Sequence, residues 1–176
     1  MTVLSVGRGG LRQLHQSLLQ HTPDQAIAVL QEAGYASGQG IYESFCAWLP
    51  SHTGVGVPGD LDAAHFPGAL SAFLQSSGWG SVTVRPLGGA ALALDSADWA
   101  EAEPGTAGMP MCFFSSGMLA DFLGRVSTEP VAVMEVECRS KGDAQCRFLS
   151  ASQETLQQVY EAMTQGRTYE DALAGT

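Results

Sequence analysis

The chain has 176 residues, 45% of them hydrophobic and 15% charged, with three Trp and seven Phe; this excludes a disordered segment and predicts one domain, residues 1–176, with its own hydrophobic core. Eighteen acidic against eight basic residues give a formal charge of -10, which repels phosphate backbones and anionic headgroups and argues against nucleic acid as a direct partner. No run approaches the ~18 apolar residues of a membrane span, and MTVLSVGRGGLRQL lacks the apolar stretch of a secretory signal. A cytoplasmic location is the expectation, where four cysteines point to metal or redox chemistry before disulfides.

Taken in chain order, Leu11, Leu14, Leu18 and Leu19 recur at helical spacing from Gly10 to Gln20. Thr22-Pro23-Asp24 then supplies an N-cap with proline at the first helical position. The second helix carries Ala26, Ile27, Val29 and Leu30, and the spacing continues through Tyr35, Ile41, Tyr42, Phe45 and Trp48. Gly34, Gly38 and Gly40 interrupt it, each costing about 1 kcal/mol relative to alanine in a helix interior; a close helix-to-helix contact is preferred to a break. SHTGVGVPGDLD marks a loop, and Phe66, Leu70, Phe73 and Leu74 outline a helix ending near Gly78.

The pattern then changes. Val82, Val84 and Ala91 to Leu94, set between glycine turns, predict an antiparallel strand pair. AEPGTAGMP is a loop, Cys112 to Gly124 a helix, and VAVMEVECRSKGDAQCRFLSAS a hairpin turning at Lys141-Gly142-Asp143. Ser152, with Glu154 in the first turn, opens a closing helix to Thr164, and GRTYEDALAGT adds a turn or two. Helices packed with one antiparallel sheet make the class α+β.

Four potential metal ligands fall in the second half. Cys138 and Cys146 flank the hairpin turn, where two strand ends bring their side chains together. Cys112 arrives from a helix start, whose partial positive charge favours the thiolate. Glu135 lies three residues before Cys138, so strict alternation puts the two on opposite faces unless a bulge or strand end intervenes. Spacing alone leaves Glu137 open as an alternative and buried cysteines open as small hydrophobes. A closed four-ligand site, most readily zinc, leaves no position for water and holds structure without catalysing hydrolysis.

Residues 105–150, with GMPMCFFSSGMLADFLGR followed by VAVMEVECRSKGDAQCRF, resemble the 4-vinyl reductase domain. That small-molecule-binding module occurs in bacteriochlorophyll-biosynthesis proteins and as the sensory domain of phenol- and xylene-responsive bacterial activators. The resemblance to the phenol sensors implies structural zinc, since their ligand spacings of 23, 3 and 8 residues recur at Cys112, Glu135, Cys138 and Cys146; it selects Glu135 over Glu137. GYASGQGIYESF is similar to the glycine-containing helix of this family and of the TRAPP trafficking subunits. The resemblance thus implies helices on a four-stranded antiparallel sheet, an internal hydrophobic cavity and a homodimer formed by N-terminal helices.

In phenol sensors a histidine and a tryptophan hold the phenolic hydroxyl. The resemblance places His65 at the first position; at the second stands Ala93, beside Leu94, with Trp99 further on. A larger or wholly apolar cavity is the consequence, with Phe66, Phe73, Trp79, Phe113, Phe114 and Phe122 as aromatic candidates for its lining. Ser115 and Ser116 have no histidine nearby in sequence, and VGRGGLRQL follows no βαβ unit, so neither a nucleophilic triad nor a dinucleotide site is visible.

These features predict a zinc-stabilised sensor or carrier of a small hydrophobic or aromatic molecule, without ATPase or DNA-binding domains of its own and signalling through a downstream regulatory protein. An accessory protein or reductase component of tetrapyrrole synthesis and a dimeric interaction module are the alternatives.

Overall fold

The computed structural model describes residues 6–174. Helix α1 (Arg8–His21) and helix α2 (Pro23–Thr53) meet at Thr22. The expected Thr22 side-chain cap of α2 is not formed. The Thr22 carbonyl itself accepts from the Gln25 amide at 3.0 Å, and the hydroxyl turns back to donate to the Leu18 carbonyl at 3.1 Å, closing α1.

Helix α2 passes through its three glycines without a break, because two of them let helix α4 (Phe113–Ser127) approach. A Cβ on Gly34 would lie 1.9 Å from the Phe114 carbonyl oxygen, and one on Gly38 would lie 2.6 Å from the Asp121 side chain. Gly117 on α4 is as constrained, 2.0 Å from the Gln31 carbonyl oxygen. Gly40 has nothing within 4 Å, so the contact reading holds at Gly34 and Gly38 only. The loop expected from Ser51 starts later: α2 continues past Pro50 to Thr53 and stops at Gly54 in the left-handed region (φ 75°). Its last turn is held by hydroxyls, Ser51 to the Trp48 carbonyl and Thr53 to the Leu49 carbonyl.

Helix α3 (Phe66–Ser76) follows, then strands β1 (Thr83–Leu87) and β2 (Ala91–Ser96). After α4 come β3 (Ala132–Glu137), β4 (Cys146–Ala151) and helices α5 (Gln153–Thr164) and α6 (Tyr169–Leu173). The strands form one antiparallel sheet in the order β1-β2-β4-β3. Ser152 caps α5 as expected, accepting from the Thr155 amide at 3.1 Å.

Side-chain alternation sorts the sheet into two faces. Leu94, Cys146 and Phe148 join α2, α3 and α4 in the main core, where Phe45, Leu70, Phe122 and Phe148 are fully buried; each such side chain stabilises the fold by about 1.5–3 kcal/mol. Ala93, Val136 and Leu149 face the other way, against Leu156, Val159, Tyr169 and Leu173 of α5 and α6. Among the described residues no helix is long and apolar enough to cross a membrane.

Candidate metal centre and ligand groove

Cys112 ends the loop before α4, and Cys138 and Cys146 stand at the two ends of the β3–β4 connection; all three thiols are fully buried. Glu135 joins them through a register shift between Glu135 and Glu137, the irregularity its spacing from Cys138 requires. The four ligand atoms lie within 4.8 Å of one another. Glu137 points elsewhere, to Gln145, Arg147 and Tyr169.

The turn is built to hold Cys138. Its carbonyl accepts from the Lys141 and Asp143 amides at 3.0 and 3.1 Å, and its amide donates to the Asp143 carboxylate at 2.8 Å. Glu135 is fixed in the same way: one carboxylate oxygen accepts from the Cys112 amide at 2.9 Å. Its other oxygen, Oε1, is buried and has no hydrogen-bond partner. Such an atom costs about 1–3 kcal/mol unless something compensates it.

Three observations fit a cation. Cys112 Sγ lies 3.9 Å from Cys138 Sγ and 4.0 Å from Cys146 Sγ, far beyond a disulfide bond of about 2.05 Å. A tetrahedral ion with metal–sulfur bonds of about 2.3 Å requires sulfur–sulfur edges of about 3.8 Å. The donor set is also under charge stress. Burial, with the Cys138 charge adding, pushes the Glu135 carboxyl up to about 8. Hydrogen bonds to Cys138 and Cys146 push the Cys112 thiol up, while those from Cys112 and Cys146 draw Cys138 far down. Three thiols and a carboxylate packed this closely in a buried site cannot all carry charge unless a positive ion lies among them. The third observation is the orphaned Glu135 Oε1. These residues could hold a metal ion.

Sequence reasoning missed what orients α4 above this cluster. Cys112 makes no side-chain cap; Glu101 caps the helix from a distant loop, accepting from the Phe114 and Ser115 amides at 3.0 and 2.7 Å and from the Ser115 hydroxyl. Trp99 Nε1 donates to Ser115 Oγ at 2.8 Å, and His15 Nε2 of α1 lies 3.0 Å from Glu101 Oε1. With 13 to 86 residues between the partners, no local spacing signals the network.

The structure does not bring the candidate ligand-binding residues together in one place. Phe66, Phe73 and Phe122 gather with Phe45: Phe45 packs 5.1 Å from Phe73, 5.6 Å from Phe122 and 6.5 Å from Phe66 between ring centroids. Trp79 belongs to a separate stack with Trp99 and Phe114, at 5.7 and 6.1 Å. Phe113 is half-buried at the start of α4. Ala93 lies on the opposite face of the sheet, under α5 and α6, because alternation gives the core position to Leu94; it cannot share a cavity with Phe73. His65 is exposed just before α3 and edges a groove of about 580 Å³ with Trp48, His52, Leu61 and Ala69. There the Trp48 and His52 rings stack at 4.0 Å.

Residues 98–150 match the 4-vinyl reductase domain family, a segment that contains all four metal-ligand candidates. No curated protein matches the chain. Among solved structures, the phenol-responsive sensory domain of the transcription activator PoxR, determined with phenol, is similar at a TM-score of 0.61 and 16% identity, covering 88% of this chain and 78% of that one. At that identity the likeness shows the fold.

Proposed function

We propose, from a chain whose residues 98–150 match the 4-vinyl reductase domain family, that this protein is a zinc-clamped domain that senses or carries a small aromatic or hydrophobic molecule. The observation that carries the reading is the juxtaposition of a cation-demanding cluster of three cysteines and a glutamate with an aromatic core and groove in the fold of a phenol sensor. Zinc is the ion that three thiolates and a carboxylate suit best in a tetrahedron, and four protein ligands close it to water. Its part is to hold the start of α4 to the hairpin.

The ligand is held chiefly by apolar and aromatic contact. Leu94 presents no hydrogen-bonding group to the core, and the Trp99 indole is already bonded to Ser115. Trp48 joins the groove it lines with His52 and His65 to the Phe45–Phe73 cluster, packing 5.9 Å from Phe73 and 6.3 Å from Phe45 between ring centroids. Dimerisation through the N-terminal helices and a downstream partner complete the reading.

Tryptophan fluorescence titrated with phenol, toluene and a soluble porphyrin tests it. Saturable quenching by phenol and toluene at similar concentrations, reduced by Trp48→Leu, is the expected result. Porphyrin binding alone would support the tetrapyrrole-pathway alternative, and no response to any of the three would overturn the sensing role.

A further inference from the structure

The metal cluster and the C-terminal helix α6 sit on opposite faces of the same hairpin, and two pairs of consecutive residues connect them. Glu137–Cys138 and Cys146–Arg147 each turn a thiol to the main core and a charged side chain to the α5–α6 side. Arg147 is 9% exposed. Its Nε and Nη2 grip the Asp95 carboxylate of β2 at 2.6 and 2.8 Å, and its Nη1 donates to Glu137 of β3 at 2.8 Å. The same Nη1 donates to the Tyr169 hydroxyl of α6 at 2.5 Å, and that hydroxyl donates to Glu137. The guanidinium also lies 5.8 Å from the centre of the Tyr169 ring, and Glu170 adds a carboxylate at 3.9 Å.

Helix α6 has five residues, too few to persist by its own hydrogen bonds. It is held by the Thr168 cap, which accepts from the Asp171 amide at 3.0 Å, by Tyr169 and Leu173 buried with residues of α5 and the sheet, and by this ion cluster. The cluster in turn depends on the spacing of β3 and β4 at the point where the β3 ladder is irregular, between Glu135 and Glu137. Glu135, Cys138 and Cys146, the candidate ligands that flank this point, lie on or directly after the same two strands, so a metal ion held among them would constrain that spacing.

We propose that metal occupancy and the docking of α6 are coupled across the sheet: the metal fixes the hairpin geometry in which Arg147 and Glu137 grasp Tyr169, so that α6 is the element released when the metal is lost. This rests on the metal reading above. Coupling between two sites is reciprocal, so loosening the latch must weaken the metal.

The test compares the full chain with Tyr169→Phe, which removes only the bridging hydroxyl, and with Arg147→Met. A third variant, Ser152→Ala, removes the α5 cap without touching the ion cluster and serves as control. Zinc affinity is read by competition with a chromophoric chelator, and α6 docking by amide hydrogen exchange at residues 170–173. Tyr169→Phe is expected to raise α6 exchange and to lower zinc affinity at least about fivefold, the low end of allosteric couplings, with Ser152→Ala unchanged. Arg147→Met, where it folds, should do so more strongly. Equal zinc affinity in Tyr169→Phe and the unaltered chain would overturn the coupling. So would an equal loss in Ser152→Ala, or unchanged α6 exchange. If the unaltered chain binds no zinc, it is the metal reading that fails.

Discussion

Gly34 and Gly117 interlock: each presents bare backbone to the other helix, with its missing Cβ within about 2 Å of a carbonyl oxygen, of Phe114 in one direction and Gln31 in the other. The contact sets the distance between α2 and α4, and α4 begins at a candidate metal ligand. Gly34→Ala and Gly117→Ala are therefore expected to force the helices apart and to destabilise by about 1–3 kcal/mol or more. Gly40→Ala, where nothing lies within 4 Å, should instead stabilise by about 0.5–1 kcal/mol, because alanine is the better helix former. Denaturant unfolding of the three variants checks both signs.

Glu101 offers a second test. Its carboxylate is 1% exposed and serves two α4 amides and the Ser115 hydroxyl. Glu101→Ala leaves those donors buried and unpaired, so a loss of about 1–3 kcal/mol is expected. The indole of Trp99, bonded to Ser115, should report it as a shift in near-ultraviolet circular dichroism. Unchanged stability would mean that α4 does not need this cap.

The ion cluster on the other face has a pH signature. Burial pushes the Asp95 carboxyl up, but hydrogen bonds and charge from Arg147, then Arg85, outweigh it and hold the group below its ordinary value of 3.8. A carboxyl with a depressed folded value stabilises above its unfolded value and loses that contribution as pH falls through the folded one. Stability should thus be steady above about pH 4 on this account and decline below it. Asp95→Asn should be less stable at neutral pH and show a shallower acid decline, as measured by thermal unfolding from strongly acidic to neutral pH.

Much of this architecture is legible in the sequence because it is written in short periods. The helical spacing of α2 and α3, the glycine turns around β1 and β2, and the Lys141-Gly142-Asp143 turn are local signals, and the elements formed where they lie. The need for a bulge between Glu135 and Cys138 follows from two-residue alternation alone, and the register shift is there. Long-range polar partners are another matter. Nothing near Glu101 says that it caps a helix starting twelve residues later, and Arg147 finds Asp95 and Tyr169 only because the sheet and α6 bring them together. Ala93 shows a third limit: a position taken from a resemblance fell one residue away from the side chain that faces the core, and one residue reverses the face.

On this account Cys112, Glu135, Cys138 and Cys146 hold a structural zinc ion. The most direct measurement is the metal content of the purified protein and of Cys138→Ser, by native and denaturing mass spectrometry, with melting temperatures alongside. One zinc per chain, lost in Cys138→Ser together with a marked fall in melting temperature, is the expected result, because the binding energy of a structural ion is folding energy. A protein free of metal, or a Cys138→Ser variant that keeps both its zinc and its melting temperature, would contradict it.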